Sequence, residues 1–338
     1  MKIQPVFLTC AASLFLLTLL PATRANAQKK GVVNDPNYYE NFPEKLTGRI
    51  YFSQKFLKFT IPSSGNLADI EYKANTKLNL GIGVTYHNFS LNIFYGFAFL
   101  NRDTEKGETK GLDLQLHLYP RKWAVDLVAL YPKGYHLEPK GYATTADKYY
   151  YRKDVKVSLF GVSAYQVPNK EKFSYRAAIT QNEWQKRSAG SPLYGGTLYY
   201  GTVKGDSALV PKSIENNFAQ KGIDNINFMA IGAGIGYAYT LVIDKHFFIT
   251  ASGVGNLDLT LTSEDGAYGK HRKTSIGPSI VGKGAIGYNS PTWSVSVNAL
   301  GSTLWSKGNS STKNYYLPAG SIRLAISRKF DIKKHTSK

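Results

Sequence analysis

Between Phe248 and Leu261 the chain sorts by parity: Ile249, Ala251, Gly253, Gly255, Leu257, Leu259 and Leu261 against Phe248, Thr250, Ser252, Val254, Asn256, Asp258 and Thr260. Side chains alternate faces along a strand, so one face is apolar and the other mostly polar. The pattern recurs at Leu78 to Tyr86, Phe89 to Phe99, Leu112 to Leu118, Trp123 to Tyr131, Val155 to Leu159, Met229 to Tyr237, Trp293 to Ala299 and Ile322 to Ile326. Alternation alone fits a soluble barrel with its apolar face inward, or a membrane barrel with that face outward. Aromatic residues pair up at strand ends, Trp123 with Tyr131 and Trp293 with Trp305, where interfacial girdles belong. Many strands have the length a tilted membrane crossing requires.

Connections alternate in kind. His87-Asn88, Pro120 to Lys122, Pro168 to Lys170, Asp244-Lys245 and Ser290-Pro291 read as tight turns, and 101–109, 136–152, 188–224, 263–271 and 307–316 as long polar loops. Short periplasmic turns and long external loops are the outer-membrane pattern. The prediction is an all-β fold, a single antiparallel transmembrane β-barrel of about 12 strands, with a range of roughly 10–14. That count takes 67–86 as one long strand, bulged near Asn75.

The first residues add an address. Lys2, the apolar run Val6 to Leu20 and the small-x-small box Ala25-Asn26-Ala27 read as a cleavable export signal. The expected layout is a signal peptide at 1–27, a periplasmic lead-in at 28–46, the outer-membrane barrel at 47–331 and a tail at 332–338. Cys10, the only cysteine, lies in the leader, so the mature chain has no disulfide or thiolate chemistry. Removing Lys2 and Arg24 with the leader leaves 40 basic against 23 acidic residues, a formal charge of +17. With no long basic block or nucleic-acid motif, the expected neighbours are outer-membrane lipids, lipopolysaccharide and acidic glycans, not nucleic acid. Assembly machinery for barrels is a further expected partner, and no cofactor is expected.

Candidate chemistry is sparse. Gly277 to Gly284 nearly spells a phosphate-binding loop, but Gly284 stands where a hydroxyl is needed and the stretch continues as a strand. Gly205-Asp206-Ser207 resembles an esterase serine block without a readable histidine partner, since a serine alone is not a nucleophile. The parity assignment turns Asp113, His117, Asp126, Asp154, Lys156, Arg176, Asp258, Lys283 and Arg323 toward the lumen. Charges there must be paired or hydrated. They either fill and lock a narrow barrel or line a water path that selects solutes by charge. Aromatic residues on polar faces, such as Phe94 and Phe160, favour a filled lumen.

Phe173-Ser174-Tyr175-Arg176-Ala177-Ala178 followed by Gln181-Asn182-Glu183-Trp184-Gln185-Lys186-Arg187-Ser188-Ala189-Gly190-Ser191 resembles the hallmark of the domain-of-unknown-function 4421 family of exported Bacteroidota proteins. Tyr72 to Asn75, Lys133 to Tyr135 and Arg152 to Asp154 fit the same resemblance. It implies an outer-membrane barrel and supplies no activity. Arg152, Glu183, Gln185, Lys186, Ser188, Gly190 and Ser191 are thereby family-motif candidates for an external loop. Gln181 and Glu183 fall on the nominal lipid face, where charge is costly, so the strand is expected to have left the membrane there, with Trp184 near the interface. The reading is a non-enzymatic barrel, either a narrow porin-like channel or a structural and surface-binding barrel. A lipid-active hydrolase and a soluble periplasmic barrel are the alternatives.

Overall fold

A computed structural model describes residues 34–86, 89–96 and 104–332. The expected leader, the His87-Asn88 turn, Phe97, Phe99, the side chain of Phe94 and the tail from 333 lie outside the described residues.

The strands are β1 (Tyr39–Asn41), β2 (Lys45–Ile61), β3 (Ile70–Ala74), β4 (Asn79–Tyr86), β5 (Phe89–Tyr95), β6 (Lys110–Leu118), β7 (Trp123–Glu138), β8 (Tyr150–Gln166), β9 (Glu183–Gln185), β10 (Ala189–Lys204), β11 (Ile223–Ile243), β12 (Phe247–Gly266), β13 (Gly269–Asn289), β14 (Trp293–Lys307) and β15 (Asn314–Asp331). Among the described residues, ten of them (β2, β3, β7, β8 and β10 to β15) close an antiparallel ring. The last strand meets the first through Asp331 opposite Lys45, and β3 bridges β2 to β7. Three more strands extend the same sheet, β4 and β5 from β2, and β6 from β7. The predicted single strand over 67–86 is two, because the chain breaks at 75–78. Asn75 leaves the ladder and donates to the Gly107 carbonyl at 2.6 Å.

The outward faces match the alternation. Leu112 to Leu118, Met229 to Tyr237, Ile249 to Leu261 and Ile322 to Ile326 present their apolar parity outward, with Ile235 77% exposed and Asp258 fully buried. On β12 the outward apolar side chains run from Phe247 to Leu261. At about 3.3 Å per residue and a tilt of about 45°, that run stands roughly 30 Å tall, the thickness of a bilayer core.

Beyond that band, toward the long loops, the inward face turns apolar. Leu57, Phe59 and Ile61 on β2 meet Val155, Val157 and Leu159 on β8, and Leu209 and Phe218 from the 205–222 loop join them. The Val155 to Leu159 face therefore points inward, the reverse of the prediction. Lys156 is exposed and lies 5.9 Å from the Tyr131 ring, and Phe160 is outward too, so neither fills the lumen. A register shift beside Gly134, between Lys133↔Lys156 and Tyr135↔Arg152, separates this stretch from the strand end above it. Such a bulge inverts parity on one side of itself.

Two connections also differ from expectation. The 263–271 stretch is not a loop; β12 and β13 continue through it with Asp265 opposite Lys270 and reverse at Ala267-Tyr268. The 188–224 excursion is shorter, because β10 occupies its first part as a full wall strand and the loop proper is 205–222. At the opposite end, the three residues 244–246 join β11 to β12, with Asp244 (φ 49°) and Lys245 (φ 63°) as the left-handed centres of a turn closed by the His246 N–H on the Ile243 carbonyl, the twist a tight hairpin favours.

Candidate functional site

The segment between β8 and β10 leaves the wall and folds back into the barrel at the tight-turn end. Asn169 fixes its start, donating its amide N–H to Ser191 Oγ at 3.1 Å and its side chain to the Gly190 carbonyl at 2.7 Å. Arg176–Thr180 then forms one wide helical turn with Ala177, Ala178 and Ile179 buried, closed by Gln181 in the left-handed conformation. Glu183–Gln185 returns as β9 and pairs with β1, so the lead-in is stitched to the insertion. The family block is thus not an external loop: Glu183, Gln185, Lys186, Ser188, Gly190 and Ser191 sit at the end opposite the long loops.

Each of these residues has a definite job. Arg176 donates to Glu183 at 3.2 Å and to the Tyr119 carbonyl at 2.9 Å. Glu183, 2% exposed, also accepts the Ser174 hydroxyl. Gln185 accepts the Ser174 N–H at 3.0 Å and donates to the carbonyls of Lys172 and Arg187. Gln181 reaches Ser296 on the far wall at 2.8 Å. Trp184 donates to the Lys245 carbonyl and stacks on His246, 5.1 Å between rings. Lys186 faces Glu40 at 3.7 Å, and Ser188 accepts the Val242 N–H. A side chain at Gly190 would meet the Tyr237 ring, 2.6 Å from its hydroxyl. Tyr39, whose hydroxyl donates to the Lys170 carbonyl, has its pKa pushed up to about 12 by burial and by the nearby Glu183.

Two residues that sequence reasoning missed complete this anchor. Asn289 donates to the carbonyls of Ala177 and Glu183 at 2.9 and 2.8 Å. Lys329, 3% exposed, donates to Asn289, Ser290 and Ser294. The parity of β15 gave the available signal, since Lys329 shares its face with Ser321, Arg323 and Ser327.

Above the insertion lies a polar layer. Asp126 accepts from His117 at 2.8 Å and from the Tyr119 hydroxyl at 2.9 Å, and faces Lys283 at 2.5 Å. The Lys283 ammonium sits 4.9 Å from the rings of both Tyr119 and Tyr175. Asp258 accepts from Thr197 at 2.8 Å, and Asp113 pairs with Lys55 at 2.9 Å. Arg323 stacks over Tyr51 at 4.7 Å. Asp113, His117, Asp126, Asp258, Lys283 and Arg323 lie on the inward faces of their strands. Arg176 is inside but on the insertion, not on a wall strand.

At the long-loop end Arg152 chelates Asp154 (2.8 and 2.6 Å) and donates to the Ala208 carbonyl at 2.8 Å and Ser207 Oγ at 3.0 Å. Asp154 accepts the Asp206 N–H at 2.9 Å. Asp154 therefore anchors a loop, and Ser207 is held by an arginine where a nucleophile needs a base. Glu264, also unforeseen, accepts from the Asn309 and Ser310 amides and the Ser310 hydroxyl and so caps the 308–313 loop. Replacing Arg152 by alanine is expected to release 205–222; limited proteolysis of the folded protein should give new cuts at Lys212 and Lys221, and an unchanged digest would refute that anchoring role.

The geometry defines a class first: an antiparallel barrel with an apolar belt outside and a lumen filled by an inserted segment, a layer of ion pairs and an apolar core. The chain belongs to the family described as Domain of unknown function (DUF4421), whose pattern matches residues 33–330. No curated protein matches it. Among solved structures it is similar to the outer membrane protease OmpT from Escherichia coli, with 9% identity, a TM-score of 0.37, and 86% of this chain and 98% of that one covered. It is also similar to OmpT of Vibrio cholerae (12% identity, TM-score 0.28, 84% and 97% covered) and to OprG from Pseudomonas aeruginosa (13% identity, TM-score 0.22, 88% and 99% covered).

Proposed function

We propose that this chain is a non-enzymatic outer-membrane barrel whose lumen is closed, with the tight turns in the periplasm and the long loops outside. A single observation carries the proposal: the barrel is blocked at two heights by packed side chains. The 171–188 insertion, held by Arg176, Glu183, Gln181 and Asn289, fills the tight-turn end. The core around Phe59, Tyr72, Val157 and Phe218 fills the other. Between them Asp126 pairs with Lys283 and His117, and Asp113 with Lys55, which supports a filled barrel over a water-lined path. β3 and β4 pair the same edge of β2 end to end, which supports reading them as one interrupted strand of a twelve-strand barrel. Export through a leader cleaved after Ala27 belongs to the same proposal.

A closed barrel contributes its outer face and its external rim. Arg152, Asp154 and Glu264 brace that rim, a scaffold for binding at the cell surface. Refolded protein in planar bilayers is expected to give no steady conductance. A variant with residues 174–186 replaced by a short glycine-serine linker remains silent if the apolar layer suffices as a seal, and conducts if the insertion is the principal barrier. Steady unitary steps from the unaltered protein would refute the closed lumen.

A further inference from the structure

Arg49 on β2 is 5% exposed and sits inside the barrel wall. One of its terminal nitrogens donates to Thr85 Oγ1 at 2.6 Å and to the Thr180 carbonyl of the insertion at 2.7 Å, while its Nε is buried without a partner. The Nε of Arg323, on the adjacent strand β15, is likewise buried without a partner. Neither guanidinium has an ion pair among the described residues. Both border a cavity of about 210 Å³. The other charged groups lining it are already matched: Lys55 with Asp113, and His117 with Asp126. Two cations thus face the cavity with no anion among the described residues to balance them, an arrangement that an entering counter-charge would stabilise.

The same cavity is lined by Leu91 of β5 and by Leu114 and Leu116 of β6, whose side chains point outward and are 55%, 55% and 44% exposed. Among the described residues β5 pairs only with β4, and β6 only with β7. The cavity therefore runs from the arginines through the wall between β5 and β6 to the apolar belt. Small residues make the room: a Cβ on Gly81 would strike the Tyr51 ring at 2.3 Å, and one on Gly83 would meet the Arg49 stem at 2.8 Å.

We infer that this chamber binds the acidic headgroup of a membrane amphiphile, a phosphate or carboxylate, on Arg49 and Arg323, with its acyl chain lying against Leu91, Leu114 and Leu116. Guanidinium forks match the two oxygens of such groups. The chamber opens toward the belt, so the ligand arrives from the bilayer and not through the closed lumen. The inference rests on the membrane-spanning reading above.

Native mass spectrometry of the folded protein in a neutral detergent, titrated separately with dioleoyl-phosphatidylglycerol, oleate, dioleoyl-phosphatidylcholine and inorganic phosphate, tests it. Phosphatidylglycerol and oleate are expected to bind at least tenfold more tightly than phosphatidylcholine, and R49Q/R323Q to lose that preference. Should the double variant fold poorly, L114W/L116W, altered only on the outer face, is expected to narrow the opening and lower binding of both acidic amphiphiles with the arginines intact. Equal binding of phosphatidylcholine, or acidic-lipid binding unchanged in both variants, overturns the inference. Displacement of the lipids by millimolar inorganic phosphate assigns the site to a soluble anion and overturns the membrane source. Conductance of the unaltered protein would contradict the closed lumen and leave this measurement standing, so the two failures are distinguishable.

Discussion

Glu183→Ala is expected to destabilise the folded barrel by about 3 kcal/mol or more, because it removes the carboxylate that Arg176 and Ser174 share inside the lumen. Glu183 is nearly fully buried, so water cannot replace the lost acceptor. Glu183→Gln keeps an acceptor oxygen without the charge and should lose less. Urea titration of refolded protein, followed by tryptophan fluorescence, reads both; Trp184 is the immediate neighbour and reports the insertion directly. The insertion should also become sensitive to trypsin at Lys172 and Arg187. A cost below about 1 kcal/mol would mean that the Arg176–Glu183 pair behaves like an exposed salt bridge and does not hold the insertion.

Asp126→Ala has the second large effect. It deprives Lys283, His117 and the Tyr119 hydroxyl of one acceptor, in a layer where Lys283 is only 7% exposed. Breaking a buried pair from one side costs about 3–5 kcal/mol, whereas replacing both partners with apolar groups of similar size is often neutral. The double variant Asp126→Ala/Lys283→Met should therefore recover most of the loss, measured by the same urea titration. Equal destabilisation by the single and double variants would show that the layer is held by something other than this pair. The two tyrosine rings flanking Lys283 are left to pack on the methionine, which favours recovery.

The outer faces of the wall were legible because parity is rigid: once Leu257 points outward, Asp258 must point in. What fills the inside was less so, for reasons visible at particular residues. In β8 the apolar parity of Val155, Val157 and Leu159 looks the same as that of Ile322, Leu324 and Ile326, yet it faces the core because this part of the strand stands beyond the apolar belt. Alternation reports that the two faces differ, not which of them meets lipid. In the 173–187 block, Tyr175, Ala177 and Ile179 alternate with Arg176, Ala178 and Thr180 closely enough to imitate a wall strand. Gln181 and Glu183, on the nominal lipid face, pointed to departure from the membrane. They and Gln185 depart from the wall, but inward, where backbone carbonyls and Ser174 and Ser296 satisfy them.

The candidate residues divide along the same line. Asp113, His117, Asp126, Asp258, Lys283 and Arg323 lie on regular strands and were placed inside from parity alone. Lys156 was inverted with its strand face. Arg49, Asn289, Lys329 and Glu264 were missed: Arg49 lies in a strand whose faces were never assigned, and the others hold loops or the insertion through contacts distant in sequence.

The absence of cysteine beyond Cys10 allows the closed lumen to be probed residue by residue. Single cysteines at Ser163 and Thr197, both on inward faces at the level of the ion pairs, and at the outward Leu257 as a control, would be exposed to a charged, membrane-impermeant methanethiosulfonate in refolded protein. A sealed barrel predicts that Ser163→Cys and Thr197→Cys stay unmodified until urea unfolds the chain, while Leu257→Cys reacts with a lipid-soluble maleimide in the folded state. Prompt modification of either luminal cysteine in folded protein would mean that water and ions reach the centre of the barrel, and would contradict the closed lumen.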